Sequence, residues 1–309
     1  MAWQSTRPET WYWLATRFRT PRTRGWVRKL DPGGNVLWND PLAVDAAVEI
    51  AVGTDDRIVA ACVEYGDFGY GSFCLRIYGA DGTLEEMDEQ NWNMVGATAM
   101  HPTGLTLAGS ADRLYAYDQG QHAFWEPSPD HHIHAMAMAA SGGLALAGRD
   151  GSGPNESWIA WLDDASTDDP PQWSIAGPSG HADGVAVDGA GCVIATGSQA
   201  GSSPSDPWVL KLAPDGTEQW TASVDLGPRE ATPTAVAVDS RDRIVVVGYL
   251  GPYSGSPDPF VAKYSPNGDA LWSVAQTDGI ASSVAIDAED RIVVAGRIAS
   301  EGWLATYSP

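Results

Sequence analysis

Lysine and cysteine are scarce in this sequence. Only three of its 309 residues are lysines (Lys29, Lys211 and Lys263), and 40 acidic residues against 18 basic ones give a formal net charge of −22. Nucleic-acid binders need a basic surface for the phosphate backbone, so the composition excludes nucleic acid as a partner. It equally excludes an anionic membrane surface. The acidic, lysine-poor composition is typical of a soluble protein, including one in a high-salt environment. The alternative interpretation of the acidic residues is cation binding.

Disulfide frameworks and long apolar runs are also lacking. The three cysteines, Cys62, Cys74 and Cys192, are too few for a framework. Cys62 and Cys74 fall on strands that we expect to be neighbours, which permits a bond without requiring one. No apolar run approaches the roughly 20 residues of a membrane helix, so we expect no membrane insertion. Trp11–Thr16 is too short for a signal peptide. We therefore expect a soluble protein without a signal peptide, either cytoplasmic or assembled into a particle.

What the chain does contain is a repeat of short strand-forming runs. Its clearest copy lies between Ala231 and Trp272 and has four such runs: Thr234–Val238, Ile244–Val247, Phe260–Tyr264 and Ala270–Trp272. Turn-forming Asp, Asn, Gly and Pro residues separate the first run from the second and the third from the fourth. This pattern predicts a four-stranded antiparallel meander.

Seven copies of the repeat can be aligned on the first residue of the third run. That residue is usually aromatic, and the seven positions are Trp26, Phe73, Leu114, Trp158, Trp208, Phe260 and Trp303. Their spacing of about 41 to 52 residues is close to the period of β-propeller blades. The sequence therefore predicts an all-β fold, a seven-bladed β-propeller of four-stranded antiparallel blades, as a single domain over residues 1–309.

The two ends of the chain depart from the repeat. Residues 7–40 give an irregular first blade, since residues 7–28 lack both apolar signatures. The last copy stops after its third run. Residues 2–5 (A-W-Q-S) resemble the fourth run of other copies, for example Gln172-Trp173-Ser174. We therefore predict that an N-terminal strand completes the seventh blade and closes the ring, which removes an open sheet edge.

Two further features of the repeat predict packing. A glycine closes the second run of most copies, which indicates a bend or a close approach of another backbone. The Trp and Phe markers of the third and fourth runs are expected to pack between neighbouring blades, where each buries roughly 150–250 Å².

The repeat resembles a known group. The pattern A-V-A-V-D-x-x-D-R-I-V-V-x-G, followed by D-P-[FW]-V-x-K-[YL]-x-P-[DN]-G-x-x-x-W, is similar to the bacterial seven-bladed β-propeller repeats and to the delta-60 repeat. The resemblance covers copies five to seven well, copies two to four loosely and copy one poorly. It implies a propeller fold and no single activity, and such repeats occur in secreted, surface and virion-associated proteins.

Candidate site residues cluster where the first strands begin. The run Asp130-His131-His132-Ile133-His134 leads into copy four, and His181 and Asp183 occupy the same approach to copy five. The sequence predicts that the two groups meet at the rim of the central channel. Strand alternation puts His132 and His134 on one side, so that His132, His134 and His181 form a possible divalent-metal site. Polar residues lining a solvated channel mouth, without any metal or other cofactor, are the alternative.

Aromatic residues in glycine-rich loops form a second candidate group. Tyr65, Phe68, Tyr70 and Tyr253 lie in the long loops that we expect on one face of the propeller. Exposed rings there suit stacking on a ligand, whereas the Trp residues on strands are expected to be core. Binding sites commonly occupy such loops over a rigid scaffold.

Nucleophile elbows, Walker A loops and dinucleotide fingerprints are all missing from the sequence. The leading hypothesis is therefore a non-catalytic interaction module that binds protein or glycan through its long-loop face, as a surface or virion component of a larger assembly. The first alternative is an enzyme, of lyase or hydrolase type, that uses His131, His132, His134 and His181 at the channel mouth. The second is a carbohydrate-binding propeller lectin.

Overall fold

The computed structural model describes residues 11–16, 25–31, 33–41, 46–65, 71–88, 96–109, 113–118, 121–125, 131–151, 156–165, 169–199, 207–253, 255–299 and 301–309. These residues form 26 β-strands, and every pairing between them is antiparallel. Among them there is no helix that could cross a membrane.

Two of the sheets have three described strands. Sheet 1 contains β1 (Trp11–Thr16), β2 (Gly25–Leu30) and β3 (Val36–Pro41). Sheet 7, defined here as the last in chain order, contains β24 (Gly279–Ile286), β25 (Ile292–Ile298) and β26 (Glu301–Tyr307).

Five sheets between these two have four strands each, in the order of a meander. Sheet 2 contains β4 (Ala46–Val52), β5 (Ile58–Tyr65), β6 (Gly71–Tyr78) and β7 (Leu84–Asp88). Sheet 3 contains β8 (Ala97–Met100), β9 (Thr106–Gly109), β10 (Leu114–Asp118) and β11 (Gln121–Trp125). Sheet 4 contains β12 (His131–Met138), β13 (Leu144–Asp150), β14 (Glu156–Leu162) and β15 (Trp173–Ser179). Sheet 5 contains β16 (His181–Val187), β17 (Val193–Ser198), β18 (Pro207–Leu212) and β19 (Glu218–Ser223). Sheet 6 contains β20 (Ala231–Val238), β21 (Ile244–Leu250), β22 (Asp258–Tyr264) and β23 (Ala270–Ala275).

The sheets form a propeller with a central channel. The first strands of sheets 2 to 7 (β4, β8, β12, β16, β20 and β24) line a cavity on its axis, so six blades reach the channel among the described residues. Sheet 1 packs against sheet 2 through Val27, and against sheet 7 through Leu30, Val293 and Ala295. The prediction of an all-β propeller of four-stranded antiparallel blades is confirmed, whereas the predicted number of seven blades is wrong, because the propeller has six in the part of the chain that the structure describes. The strand proposed at residues 2–5 lies outside the described residues.

Meander order separates the two faces of the propeller. Short turns join the first strand to the second and the third to the fourth at one end of each sheet, which we name the tight-turn face. Connections between the second and third strands, and between sheets, lie at the opposite end, which we name the long-loop face. First strands therefore begin at the long-loop face.

The predicted close approach at the second-strand glycines is confirmed. A Cβ on Gly148 would lie 1.8 Å from the carbonyl oxygen of His132, and one on Gly197 would lie 1.8 Å from that of His181. In each case the first strand bends over the second, because it carries one extra residue at this point. Only a residue without a side chain fits beneath that carbonyl.

The fourth-strand tryptophans pack between sheets, as predicted. Trp173 of sheet 4 donates its indole N–H to the Pro214 carbonyl of sheet 5 at 2.8 Å, and a Cβ on Gly216 would lie 2.8 Å from its ring. Trp220 of sheet 5 makes the same contact with the Pro266 carbonyl of sheet 6 at 3.1 Å. In both cases neighbouring blades are joined by a partly buried ring and a hydrogen bond at their outer edge.

Candidate functional site: the channel mouth

Bulges in the first strands aim side chains into the channel. The ladders of sheets 4 to 7 each shift by one residue, and the extra residues are His134, Asp183, Thr234 and Ser282. All four line the central cavity. A bulge leaves one residue outside the alternation of its strand and reorients it. The bulges therefore add four side chains to the channel lining that lie outside the regular alternation of the blades.

The cavity is small and polar. Its volume is about 130 Å³, which is the size of one side-chain end or a very small molecule. The polar residues that line it are Glu49, Thr98, His134, Asp183, Thr234, Ser282 and Ser283. No lysine or arginine belongs to the lining in the part of the chain that the structure describes. Two carboxyl groups therefore face a space that contains no fixed cation of these residue types.

Glu49 stands where the other blades have small residues. Its partner in the ladder is Ala61, and the same register position holds Ala135, Gly184, Ala235 and Ser283 in sheets 4 to 7. Burial within the channel raises the pKa of the Glu49 carboxyl to about 7, because the charged form loses solvation. Near neutral pH this carboxyl is poised between its two protonation states.

His134 and Asp183 meet across the boundary between sheets 4 and 5. The His134 Nδ1 atom lies 3.2 Å from Asp183 Oδ1, and the ring centroids of His134 and His181 are 5.8 Å apart. Burial lowers the pKa of His181, Asp183 opposes this shift, and the neighbouring Arg149 acts in the same direction as burial. The structure therefore brings together three of the predicted site residues.

His131 and His132 occupy different surroundings. The His131 ring stacks on Trp158 with centroids 4.5 Å apart, and its Nε2 atom lies 3.8 Å from Asp150 Oδ2. His132 pairs with Arg149 in the backbone ladder. Within the described ranges, no group of three or more His, Cys, Asp or Glu side chains has the arrangement of a metal site. Catalysis or metal binding by the predicted histidines stays a prediction.

Two tyrosines adjoin the channel mouth on the long-loop face. Tyr253 is 64% exposed, and its ring meets that of Tyr249 edge-on at 5.9 Å between centroids. Burial raises the pKa of Tyr249, and the charges of Asp183 and Glu230 add to the shift, which places these carboxylates close by. Tyr65 ends β5, and Phe68 and Tyr70 lie outside the described residues.

Sequence reasoning missed Glu49, Thr234 and Ser282. A signal for two of them exists in the repeat, since Ser282 immediately precedes the small-residue run, as Asp183 and His134 do, and Thr234 begins it. Glu49 interrupts such a run in copy two. Hydrophobic periodicity gives these positions no special place, because it does not distinguish a residue that faces the channel from one that faces a neighbouring blade.

Solved propeller structures resemble this chain. The WD40 β-propeller domain of Doa1 is 11% identical with a TM-score of 0.66, over 99% of this chain and 92% of that one. The Dos1 propeller is 8% identical with a TM-score of 0.65, over 99% and 91% of the two chains. A chain of the Mitotic Checkpoint Complex is 11% identical with a TM-score of 0.71, over 100% and 89%. At this identity the likeness shows the propeller fold alone.

Sequence comparisons give no family. No family model matches the chain, and no curated protein matches it. The resemblance to the bacterial seven-bladed and delta-60 repeats is therefore confirmed only as far as a propeller fold.

Proposed function

We propose that this propeller is a non-catalytic interaction module that binds a basic segment of a partner protein at the channel mouth on its long-loop face. The observation that carries the proposal is the cavity lined by Glu49 and Asp183, with no lysine or arginine among its described lining residues. A lysine or arginine side chain from a partner supplies the missing positive charge. Hydroxyl groups of the lining accept its remaining N–H bonds.

The size of the cavity limits what enters it. About 130 Å³ accommodates the end of one side chain and no folded element. The remaining contacts of a partner therefore fall on the surrounding face, where Tyr253 presents an exposed ring. An aromatic face beside a cation site adds roughly 0.5–1 kcal/mol at an exposed position.

Charge and fold both support a protein partner. A net charge of −22 favours encounter with basic segments over acidic ones. One of the structural neighbours belongs to the Mitotic Checkpoint Complex, whose name denotes an assembly of several components. The partner is either a free protein or a subunit of a larger assembly at a surface or in a virion. Recognition of a basic segment does not depend on which of these it is.

Fluorescence anisotropy with a labelled peptide library tests the proposal. We expect Lys/Arg-rich peptides to bind, and Asp/Glu-rich peptides of equal length to give no signal. Glu49→Gln and Asp183→Asn are each expected to weaken binding by roughly thirtyfold or more, because truncating one partner of a buried charge pair costs about 2–5 kcal/mol. Because the pKa of Glu49 is raised to about 7, affinity is expected to be higher at pH 8 than at pH 5.5.

A matched control separates the site from the overall charge. Asp215→Asn removes the same charge from a turn on the tight-turn face and keeps the oxygen that accepts from the Thr217 amide. It is expected to leave peptide binding unchanged. Equal losses in all three variants, or equal binding of acidic and basic peptides, would contradict a site at the channel mouth.

Tyr253 supports a second candidate, a glycan-binding face. An exposed aromatic ring in a loop suits stacking on a sugar, and this ring is 64% exposed. A glycan array discriminates between the two candidates. Binding lost in Tyr253→Ala and kept in Glu49→Gln favours the lectin, and the opposite pattern favours the basic peptide.

A further inference from the structure

Cys62 and Cys74 occupy a register position that other blades fill differently. The two residues face each other across β5 and β6, with Cα atoms 5.0 Å apart, and are joined by a disulfide. In sheets 4 to 7 the same position pairs a glycine with an aromatic residue: Gly148 with Trp158, Gly197 with Trp208, Gly248 with Phe260 and Gly296 with Trp303. The disulfide therefore takes the place of the glycine–aromatic pair.

That aromatic residue fills the interface with the preceding sheet. Trp208 of sheet 5 is buried in one cluster with Ile159 of sheet 4, and Phe260 of sheet 6 is buried with Val209 of sheet 5. In sheet 2 the corresponding cluster contains Cys62 and Cys74 together with Val27 of sheet 1. The bond lies where the first sheet joins the rest of the propeller.

Polar and aromatic contacts also connect the two sheets. The Tyr78 hydroxyl donates to Asp40 Oδ2 at 2.7 Å, and Lys29 Nζ donates to the Ala80 carbonyl at 2.8 Å. Trp38 stacks on Tyr78 with centroids 5.8 Å apart. Sheet 1 is therefore attached to sheet 2 by the packing around the cysteine pair together with these contacts.

We propose that Cys62 and Cys74 form a redox-controlled joint between sheet 1 and sheet 2. Oxidation joins the two sulfur atoms and passes two electrons and two protons to a disulfide acceptor such as oxidised glutathione. A dithiol donates them back, breaks the S–S bond and becomes a cyclic disulfide itself. The oxidised pair holds β5 and β6 together beneath sheet 1. The reduced pair leaves two small thiols where other blades have a large ring, and sheet 1 loosens.

Thermal unfolding with and without dithiothreitol tests the proposal on the full chain. Both sulfur atoms are buried, so reduction is driven to completion at 37 °C and verified by alkylation and mass spectrometry. We expect reduction to lower the unfolding midpoint by roughly 5–10 °C, as for the loss of a disulfide in a domain of this size. Hydrogen exchange is expected to rise in β2, β3, β5 and β6 and to stay unchanged in β18 and β19.

Two variants keep the test decisive. Cys62→Ser with Cys74→Ser is expected to match the reduced protein under both conditions. Cys62→Gly with Cys74→Trp installs the pair of the other blades and is expected to fold with a midpoint that does not respond to dithiothreitol. The buried Cys192 serves as the control, since Cys192→Ser is expected to retain the full redox response.

Two results would overturn the proposal of a redox-controlled joint. One is a count of three free thiols in the unreduced, denatured protein. The other is an unchanged midpoint and unchanged exchange in β2 and β3 after verified reduction.

Discussion

Sheets 5 and 2 share one topology, yet they stabilise their tight-turn ends by different chemistry. Lys211 of sheet 5 is buried and its Nζ atom lies 2.8 Å from Asp188 Oδ2. Sheet 6 repeats the pair with Lys263 and Asp239 at 3.0 Å. In sheet 2, the register places Ile77 at the lysine position, and the turn begins with Gly53 instead of aspartate.

The comparison teaches that sheet 2 lacks both partners of the ion pair, whereas sheet 7 keeps the aspartate, Asp287, and pairs it with Arg291 in place of a lysine. A buried charge without its partner is strongly destabilising, whereas an apolar replacement of both partners is often neutral. Sheet 2 shows the second solution within the same chain. Each of the three lysines in the sequence has a structural partner. Two of them are buried counterions of an aspartate, and the third donates to a carbonyl of the next sheet.

Breaking one half of the pair is expected to have the largest effect. Lys211→Met leaves the Asp188 carboxylate buried without a cation and is expected to lower the free energy of unfolding by about 3–5 kcal/mol in urea titration. Adding Asp188→Gly, to reproduce the combination of sheet 2, is expected to recover more than half of that loss. A double variant no more stable than the single one would show that the pair is not a unit.

The same loss is expected to depend on pH. Burial alone would raise the pKa of Asp188, but the Lys211 hydrogen bond and the Cys192 and Ala190 amides hold it below its usual value of 3.8. The pair therefore stabilises the fold above pH 3.8, and the contribution disappears as pH falls through the lowered pKa. Below the pKa of Asp188, the difference in the free energy of unfolding between wild type and Lys211→Met should therefore disappear.

Removing the charge of Glu49 makes the channel position of sheet 2 resemble that of the other blades. Folding raises the pKa of Glu49 from 4.5 to about 7, so ionisation destabilises the folded state as pH rises through this window. Glu49→Gln is expected to raise the free energy of unfolding by roughly 1–2 kcal/mol at pH 8 and to change it little at pH 4.5. A gain of equal size at both pH values would refute a buried, titrating carboxyl.

Ser240→Ala tests the smallest difference between two equivalent joints. The Ser240 amide and hydroxyl of sheet 6 both donate to the Asp290 carboxylate of sheet 7, at 2.9 and 2.7 Å. Between sheets 5 and 6 the equivalent contact has the Gly189 amide alone, 3.0 Å from Asp242 Oδ1. Losing the hydroxyl bond is expected to cost about 0.5–1.5 kcal/mol by the same titration. No measurable loss would mean that the amide suffices.

Local sequence signals predicted the regular blades well. The four runs of the clearest copy correspond to β20 to β23, because alternating apolar residues and Asp- or Gly-containing turns determine strands and hairpins locally. The third-run marker of copy two was misplaced by one residue. Phe73 was chosen as the aromatic, whereas the ladder puts Cys74 opposite Cys62. Which residues oppose each other depends on register, which the sequence does not show.

The candidate site could be predicted only in part. His134, His181 and Asp183 were expected at the channel rim and lie together there. The alternation that placed His132 beside His134 does not hold, because the ladder shifts between Ile133 and Ala135. Glu49 was also missed, because a single carboxyl group in an apolar run does not indicate a site until the position of the channel is known.

The extra residue in the first strands of sheets 4 to 7 gives the axial lining a freedom that the rest of the blade lacks. It lies outside the regular alternation of its strand. It therefore need not be small and apolar, as the surrounding side chains are. Histidine, aspartate, threonine and serine occupy it in successive sheets. Some of these positions contact each other, as His134 and Asp183 do at 3.2 Å. Substitutions at them can change what the channel recognises without redesign of the scaffold.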